Sequence, residues 1–440
     1  MKEIHFGSDQ AELYNTSAMI MKGKISLIGH PSVWGFNHPG PILRFYFNLI
    51  YILSFGNIFV FYLLDTVIKL ILFTMITYRI KEYFNLSKIE FMAVIGLIVS
   101  SQYFIFLMKI PWSHGLVVIG ILYMILCYLK SYKYQFLFVM NALVQINLVS
   151  LVPILFFLPF FISENFRWIK LKVMSITFIF IFFWILPIYE SIKNKGGNLL
   201  LMFNFFNLDK NKNYDINNFE IVFQIINNWN VNKYVNILLF LGVLLLGIFC
   251  LSKNNAKSLV NTNKYFFISF SILFTSSLFS IFIGNREYYY FAYLYGFYFL
   301  LIILFLYNVD NRLRIVFTLL IICLTSMNMF VSYKKYSETD WNEFQYSEIL
   351  DLSEKIKEYK KKDEKINLSI DGKFSGQLAL SFLVVLERLG SKIDYMNKEN
   401  EKIIIHTDLN KCEAITNPIY SNGKKFCFEA ELHSRPHNKE

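Results

Sequence analysis

The chain has 440 residues, of which 55% are hydrophobic, 18% are aromatic and only 17% are charged. About a quarter of the residues in a soluble globular domain are charged, so this composition excludes an ordinary cytosolic enzyme. The formal net charge is +11, yet the part from Lys334 onward holds 18 basic and 19 acidic residues, against 25 and 13 before it. The excess positive charge therefore lies between apolar segments, which indicates membrane topology and excludes nucleic acid as the partner.

Apolar runs long enough to cross a bilayer, about 20 residues each, begin near residue 57. The run 136–163 is too long for one span, and Gln145, Asn147 and Ser150 at its middle predict a turn between two short helices. The other spans are predicted at 57–80, 90–108, 115–129, 172–188, 235–252, 264–283, 287–307 and 313–333. The fold class we expect is an all-α polytopic membrane bundle of about ten spans over residues 57–333, with an external loop at 187–234.

The short loops differ in charge on the two sides of this bundle. Thirteen basic residues, from Arg79 to Arg314, fall in five alternate loops, whereas the opposite short loops hold little beyond Lys109, His114 and Arg286. Cytoplasmic loops are rich in Lys and Arg, so the five basic loops are predicted to be cytoplasmic. Segment 1–56 is then external, and its export predicts a first transmembrane helix before Met1.

The C-terminal part 334–440 has the composition of a water-soluble segment and is also predicted to be external. Helices are expected at 343–362 and 374–389, and strands at 366–370, 391–395 and 402–407, which together make a small α/β domain. Cys412 and Cys427 would close a loop of about fifteen residues. If the tail faces an oxidising compartment, a disulfide there would contribute roughly 3 kcal/mol.

Two of the three carboxylates in the N-terminal segment, those of Asp9 and Glu12, are close together in the sequence. If residues 9–22 are helical, the three-residue spacing of Asp9 and Glu12 places both on one face, where they could act on an acceptor hydroxyl as general base. The alternative is an ordinary charged first turn of a helix. Walker loops, dinucleotide glycine patterns, paired CxxC motifs and His-Glu-x-x-His helices are absent from the sequence.

A rigid turn follows at Asn37-His38-Pro39-Gly40-Pro41. The two prolines restrict the backbone on either side of Gly40, and Pro41 suits the first turn of a helix. His38 is thus presented at the membrane surface, where it could hydrogen-bond a phosphate or a sugar hydroxyl. An isolated histidine in such a turn is more often a local helix cap.

These residues resemble the first extracytoplasmic loop of the GT-C superfamily of polytopic glycosyltransferases, in the protein mannosyltransferase-like group. That loop has an acidic residue, a glycine-containing stretch, a His-Pro-x-Pro-type motif and a juxtamembrane helix that ends in Phe-Gly. The matching residues, in order, are Asp9, Gly23 and Gly29, His38 to Pro41, and Phe55-Gly56.

Further segments resemble a bacterial branch of these enzymes: Pro111-Trp112-Ser113-His114, Gln145-Ile146-Asn147, Trp184 to Pro187 and Gly197-Asn198. The pattern differs at Asn147, where the branch would have a histidine. It also differs at Glu12, which lies three residues from Asp9 instead of next to it.

The resemblance implies an inverting transfer of a sugar from a polyprenyl-phosphate donor to an external glycan, lipid or protein acceptor. Asp9 would be the base, with Glu12 as the second carboxylate. Arg286, or Arg44, would stabilise the leaving phosphate, although either could be an interfacial anchor. The remaining substrate-binding residues would be Asn37, His38, Trp112, His114, Gln145, Asn147 and Asn198. A divalent cation, Mg²⁺ or Mn²⁺, is left open, and the partners would be the donor, the acceptor and membrane lipids.

Asp65 and Lys69 lie one helical turn apart within the 57–80 span. Charges at this depth indicate function by default, but an i,i+4 pair partly neutralises itself, which favours a structural role. A flippase of lipid-linked sugars is the competing class of protein; it would show repeats and binding residues near the midplane, and neither is evident. A polymerase or ligase of lipid-linked glycans would differ only in its acceptor.

Overall fold

A computed structural model of the chain describes a large part of the molecule. The described residues are 8–23, 29, 37–193, 265, 268–269, 271–273, 275, 292–338, 346–359, 367–371, 381–386, 389, 402–406, 420–421 and 427–431. The chain forms two compact units, one made of residues 1–24, 51–61 and 338–440 and the other of residues 25–50 and 62–337.

Helices dominate the described ranges. They are α1 Ser8–Met19, α2 Ile42–Leu53, α3 Ile58–Tyr83, α4 Lys88–Val99, α5 Gln102–Lys109, α6 Ser113–Leu129, α7 Lys133–Ile146, α8 Leu151–Leu171, α9 Val173–Lys193, α10 Leu294–Asn308, α11 Asn311–Glu338 and α12 Tyr346–Tyr359. Single 3-10 turns, Ile20–Lys22 and Leu148–Ser150, follow α1 and α7.

Among the described residues, four helical segments are long and apolar enough to cross a membrane. They are Ile58–Tyr83, Leu148–Leu171, Val173–Lys193 and Asn311–Phe330. A fifth results if the pair α4 and α5, bent by 81°, is one span. The predicted spans at 235–252 and most of 264–283 lie outside the described residues, so the count of about ten stays a prediction.

The turn predicted in the middle of 136–163 is confirmed. Helix α7 ends at Ile146, the Asn147 side chain accepts a hydrogen bond from the Val149 N–H at 3.1 Å, and α8 begins at Leu151. An asparagine oxygen that binds a main-chain N–H two residues on favours such a turn over a continuous helix. Helix α8 is longer than predicted, because it continues through Pro159 to Leu171.

Helix α6 is the centre of the larger unit, and nearly all of its side chains are buried. Close approach of its neighbours depends on two glycines. A Cβ at Gly120 would lie 2.5 Å from the Leu143 side chain on α7, and one at Gly296 on α10 would lie 2.7 Å from Ile121. A β-carbon cannot come that close to another heavy atom without a shift, so both helix pairs require glycine at these positions.

The helix ends that carry the basic loops come together within this unit. A capping box begins α4, in which the Glu90 carboxylate accepts from the Ser87 N–H at 2.7 Å and the Ser87 hydroxyl accepts from the Glu90 N–H at 3.3 Å. The same carboxylate accepts from Arg314 Nη2 on α11 at 2.8 Å. Lys81, at the end of α3, lies 5.8 Å from the ring of Phe91 on α4. Basic residues from loops that are far apart in the sequence, Lys81 and Arg314, therefore both lie beside α4.

In the smaller unit, α1 packs against the turn that joins α2 to α3. The ring of Tyr14 lies 5.2 Å from that of Tyr51 and 5.5 Å from that of Phe61, and its hydroxyl donates to the Gly56 carbonyl. Phe55 and Gly56 both have positive φ, 51° and 68°, which makes the turn tight. The Phe-Gly pair singled out in the sequence therefore anchors the helix that carries Asp9.

The C-terminal part contains a four-stranded sheet in the order β1-β2-β4-β3. Its strands are β1 Asn367–Asp371, β2 Lys402–His406, β3 Tyr420–Ser421 and β4 Cys427–Glu431. Strands β1 and β2 are parallel, and the other pairs are antiparallel. Helix α12 buries Ile349, Leu352 and Ile356 along one stripe, the amphipathic pattern expected for 343–362.

Two of the expected strands, 366–370 and 402–407, match β1 and β2 to within one residue. The expected strand 391–395 lies outside the described residues, as does Cys412 of the predicted disulfide. Strands β3 and β4 were not predicted, because β3 has only two residues and the sequence of β4 contains no apolar run. The domain limits 1–56, 57–333 and 334–440 stay predictions.

Candidate functional site

The turn that carries His38 is held in place from the N-terminal side by Gly29. The Gly29 N–H donates to the His38 carbonyl at 3.0 Å, and a Cβ at Gly29 would lie 2.5 Å from that oxygen and 2.8 Å from the Gly40 carbonyl. Arg44, in the first turn of α2, donates from Nε to the Gly29 carbonyl at 3.2 Å. His38 and Arg44 are both buried, each with 7% exposure. Arg44 is therefore a structural anchor of this loop, whatever else it binds.

Gly40 joins the same turn to α7 and α9. A Cβ at Gly40 would overlap the side-chain amide of Gln145, so the backbone of the turn rests directly on that amide. Gln145 in turn donates from Nε2 to the Phe183 carbonyl on α9. Both residues are buried. This contact explains why the His-Pro-Gly-Pro motif has glycine at its third position.

A polar cluster lies at the beginning of α6. Asn147 Nδ2 is 3.1 Å from Ser113 Oγ and 3.2 Å from His114 Nε2, and Ser113 Oγ is 3.4 Å from His114 Nδ1. Asn147 Nδ2 is a donor, so it can hydrogen-bond His114 Nε2 only when that nitrogen is unprotonated. The ring of Trp112 meets the edge of His114 at 4.5 Å. The cluster thus combines an aromatic surface with neutral donors and acceptors, which suits hydroxyl groups.

A second polar contact connects α7 to α9 near this cluster. Trp184 donates from Nε1 to Asn141 Oδ1 at 2.8 Å, and Asn141 Nδ2 donates to the Leu137 carbonyl at 2.8 Å. Asn141 is buried. This bond satisfies the indole N–H and keeps α9 beside the end of α7 where Gln145 and Asn147 lie.

Asp9 and Glu12 lie on α1, in the smaller unit. The expected helix over 9–22 is confirmed as α1 and the turn Ile20–Lys22. Asp9, Glu12 and Thr16 are partly exposed, while Ala11 and Leu13 between them are buried. The spacing i, i+3, i+7 therefore places both carboxylates on one accessible stripe. In the described ranges no three His, Cys, Asp or Glu side chains are grouped as metal ligands.

The larger unit brings together His38, Arg44, Trp112, His114, Gln145 and Asn147, and half-buried Asn37 directly precedes His38. Asn198 and Arg286 lie outside the described residues. Sequence reasoning missed the contribution of Ser113, although it belongs to the Pro-Trp-Ser-His segment. The signal that could have identified Ser113 is its position at the first residue of a buried helix, where a hydroxyl has few packing reasons to occur.

A separate cavity of about 300 Å³ lies at the other end of α6. It is lined by Cys127, Tyr128, Ser131, Lys133, Phe161, Glu164 and Asn165. Along α6, Tyr128 is about 20 Å from His114 at 1.5 Å per residue. The cavity lies among the basic loops, so it is not part of the site described above.

Comparison with known proteins identifies the fold. Searches found no matching family model and no matching curated protein. Among solved structures, ArnT from Cupriavidus metallidurans bound to undecaprenyl phosphate matches with a TM-score of 0.65 over 98% of this chain and 95% of that chain, at 9% identity. This chain has the fold of ArnT. The apo structure of ArnT matches with a TM-score of 0.62, at 9% identity, over 98% of this chain and 94% of that chain.

The ArnT fold confirms the prediction of a polytopic helical bundle. The chain is thus a multi-pass membrane protein. At 9% identity the likeness to ArnT concerns the fold.

Proposed function

We propose that the chain is a membrane glycosyltransferase that moves a sugar from a polyprenyl-phosphate donor to an acceptor outside the cytoplasm. The observation that carries this proposal is the match to ArnT over 98% of the chain. The sequence pattern at Asp9, the His38 turn and the Trp112 segment supports the same proposal.

The reaction requires few groups from the protein. The acceptor hydroxyl attacks the anomeric carbon, its proton passes to the Asp9 carboxylate, and the bond from that carbon to the phosphate oxygen breaks with inversion. Asp9 is half-exposed on a helix tied down through Tyr14, so its carboxylate can meet an acceptor hydroxyl. Glu12, on the same stripe, would bind the acceptor or assist Asp9.

The leaving polyprenyl phosphate requires charge stabilisation more than protonation. In this proposal Arg286 supplies it, with Arg44 as the second choice. Mg²⁺ or Mn²⁺ at Asp9 and Glu12 is the alternative partner for the phosphate.

Sugar binding is assigned to the polar cluster and the turn beside it. Trp112 would stack on the ring, and His114, Asn147 and Gln145 would hydrogen-bond its hydroxyl groups. His38, Asn37 and Asn198 would contact the phosphate or the acceptor. The polar cluster is external in this proposal because it lies at the end of the larger unit away from the basic loops.

The experiment that tests the function uses purified full-length protein in nanodiscs with a polyprenyl-phosphate sugar labelled in the sugar. Release of free polyprenyl phosphate with transfer of label supports the glycosyltransferase. If label crosses the bilayer of proteoliposomes with the sugar-phosphate bond intact, the protein is a flippase and the proposal is wrong. Profiling of lipid-linked glycans in a deletion strain would then identify the acceptor and separate a single-sugar transferase from a polymerase or ligase.

A further inference from the structure

An ion pair is completely buried on α3. Lys69 Nζ lies 2.7 Å from Asp65 Oδ2, and both side chains have 0% exposure. The Tyr46 hydroxyl, on α2, donates to Asp65 Oδ1 at 2.8 Å. Burial, with the adjacent Asp65 carboxylate, raises the pKa of Tyr46 well above its usual range, so the hydroxyl keeps its proton. Burying two charges costs several kcal/mol per ion, and apolar residues would fill the same space at less cost.

The contacts of the ammonium group explain why a lysine is present. Lys69 Nζ donates to the Ile110 carbonyl at 2.7 Å and lies 3.5 Å from the Leu107 carbonyl. In a continuing helix the Leu107 carbonyl would accept from the N–H of residue 111, but that residue is Pro111 and has no N–H. The ammonium therefore replaces a donor that the sequence removes at the end of α5.

Gly115 leaves the space for this arrangement. A Cβ at Gly115 would overlap the Leu107 carbonyl and would lie 3.1 Å from both Cε and Nζ of Lys69. The first turn of α6 thus packs directly over the lysine. A larger residue would push this turn, which carries Ser113 and His114, away from α3.

The segment held by Lys69 is the one that presents the polar cluster. Trp112 and His114 follow Ile110 directly, and Asn147 contacts both Ser113 and His114. On the other side, Asp65 connects the lysine to Tyr46, two residues after Arg44 on α2. One chain of contacts thus runs from the helix that anchors the His38 loop to the turn that carries Trp112.

We propose that Lys69 is a positioning residue: its ammonium, held by the Asp65 carboxylate to which Tyr46 donates, takes the place of the missing Pro111 N–H and sets the α5–α6 turn relative to α2. The proposal rests on the proposed function for its catalytic consequence. Lys69 does not touch the sugar or the phosphate. It keeps Trp112 and His114 where a lipid-linked sugar would meet them, and a displacement of about 1 Å in such a group can cost on the order of 100-fold in rate.

The test separates charge neutrality from positioning by comparing Lys69→Met and Asp65→Asn with the double variant. Each single change leaves one buried charge unpaired, so both should lower the thermal midpoint. The double variant removes both charges and should regain much of that stability, while its kcat stays reduced on the order of 100-fold. Recovery of both stability and kcat in the double variant would show that the pair only neutralises itself, and would overturn the proposal.

Two further variants serve as controls. Lys69→Arg keeps a buried cationic donor, so it should recover part of the kcat that Lys69→Met loses. Thr77→Val changes another fully buried polar residue of α3, whose hydroxyl donates to the Phe73 carbonyl at 2.7 Å, and should keep wild-type kcat. If the charge variants do not fold, Tyr46→Phe keeps both charges and should give a smaller loss of kcat; wild-type kcat in that case contradicts the proposal.

Hydrogen exchange gives a readout that does not depend on activity. Loss of a hydrogen bond to a charged group should speed exchange of the amides of residues 112–115 by about tenfold or more in the double variant. The amides around Thr77 should be unchanged. Unchanged exchange at 112–115 overturns the positioning role. Wild-type protein that transfers no sugar overturns the proposed function instead, and leaves the exchange result standing.

Discussion

At the scale of single residues, the two parts of the proposed site differ in charge. Asp9 and Glu12 are partly exposed carboxylates on a small helix, whereas Ser113, His114 and Asn147 are buried and hydrogen-bonded to one another. A catalytic base must be accessible to an acceptor that arrives from outside the protein. Groups that select a sugar work best when they are pre-organised and shielded from water. The difference in burial therefore agrees with the division of roles that we propose.

Asp9→Asn in the full-length protein should reduce transfer by a factor on the order of 10² to 10⁴, because it removes the base and keeps the shape. Expression and donor binding should be unchanged. Glu12→Gln is the matched control on the same stripe of α1, and a smaller loss is expected there. The measurement is turnover of labelled donor in nanodiscs, and normal turnover of Asp9→Asn would refute its assignment as the base.

Asn147→Ala should weaken sugar binding and leave the His114 and Ser113 side chains with fewer partners, at a cost of about 1–3 kcal/mol. The expected result is a rise in the donor KM of roughly tenfold or more. Asn165→Ala, on α8, is the comparison, since its Nδ2 bonds only locally to the Phe161 carbonyl at 2.9 Å among its described contacts. Equal KM values for the two variants would remove Asn147 from the site.

At the scale of elements, the turns and helix ends are positioned by glycines whose backbone contacts leave no room for a β-carbon. Gly40 rests on the Gln145 side chain, which places the His38 loop against the end of α7. Gly29 lies against the His38 and Gly40 carbonyls and accepts from Arg44, which places the same loop against the beginning of α2. Interiors are close-packed, so a methyl group at such a place moves the loop or the helix.

Gly40→Ala should lower turnover by displacing the His38 turn from Gln145. The double change Gly40→Ala with Gln145→Ala removes the overlapping amide and should restore the position of the turn, although the lost hydrogen bond to Phe183 remains a cost. The measurement is hydrogen exchange of residues 38–46 together with turnover in both variants. A single variant with wild-type values for both would contradict the contact between Gly40 and Gln145.

The capping box of α4 makes a prediction about stability at the opposite end. Ser87→Ala removes the hydroxyl that accepts from the Glu90 N–H and should destabilise the protein by about 1 kcal/mol. Glu90→Gln should cost more, since it also weakens the pairing with Arg314. A thermal midpoint in detergent measures both. Turnover of the folded variants should be that of the wild type, because these residues lie away from the polar cluster.

At the scale of the whole molecule, the orientation of the protein in the membrane follows from the charge of its loops. The basic loops that pair α4 with α11 lie at one end of the larger unit, and Trp112, His114 and Asn147 lie at the other. If basic loops stay in the cytoplasm, the polar cluster is external.

A periplasmic-type reporter fused after Tyr336 should therefore be active, and a cytoplasmic reporter at the same position should be silent. A fusion at Ser131, between α6 and α7, provides the opposite control, since its neighbours Lys130 and Lys133 belong to a predicted cytoplasmic loop. Cytoplasmic activity after Tyr336 would reverse the predicted topology and with it the external site.

The sequence alone determined the class of protein, the charge asymmetry, the helical segment of Asp9 and the turn at Asn147, because composition, periodicity and local hydrogen bonds act over a few residues. The tertiary structure decided which of these pieces meet. Asn147 reaches His114, Gly40 rests on Gln145, and Lys69 binds the carbonyl of Ile110, each across more than thirty residues of chain. The pairing of β2 with β4 was missed for the same reason, since its partners are more than twenty residues apart in the chain. Such contacts depend on how whole helices and strands pack, and no local pattern encodes that packing.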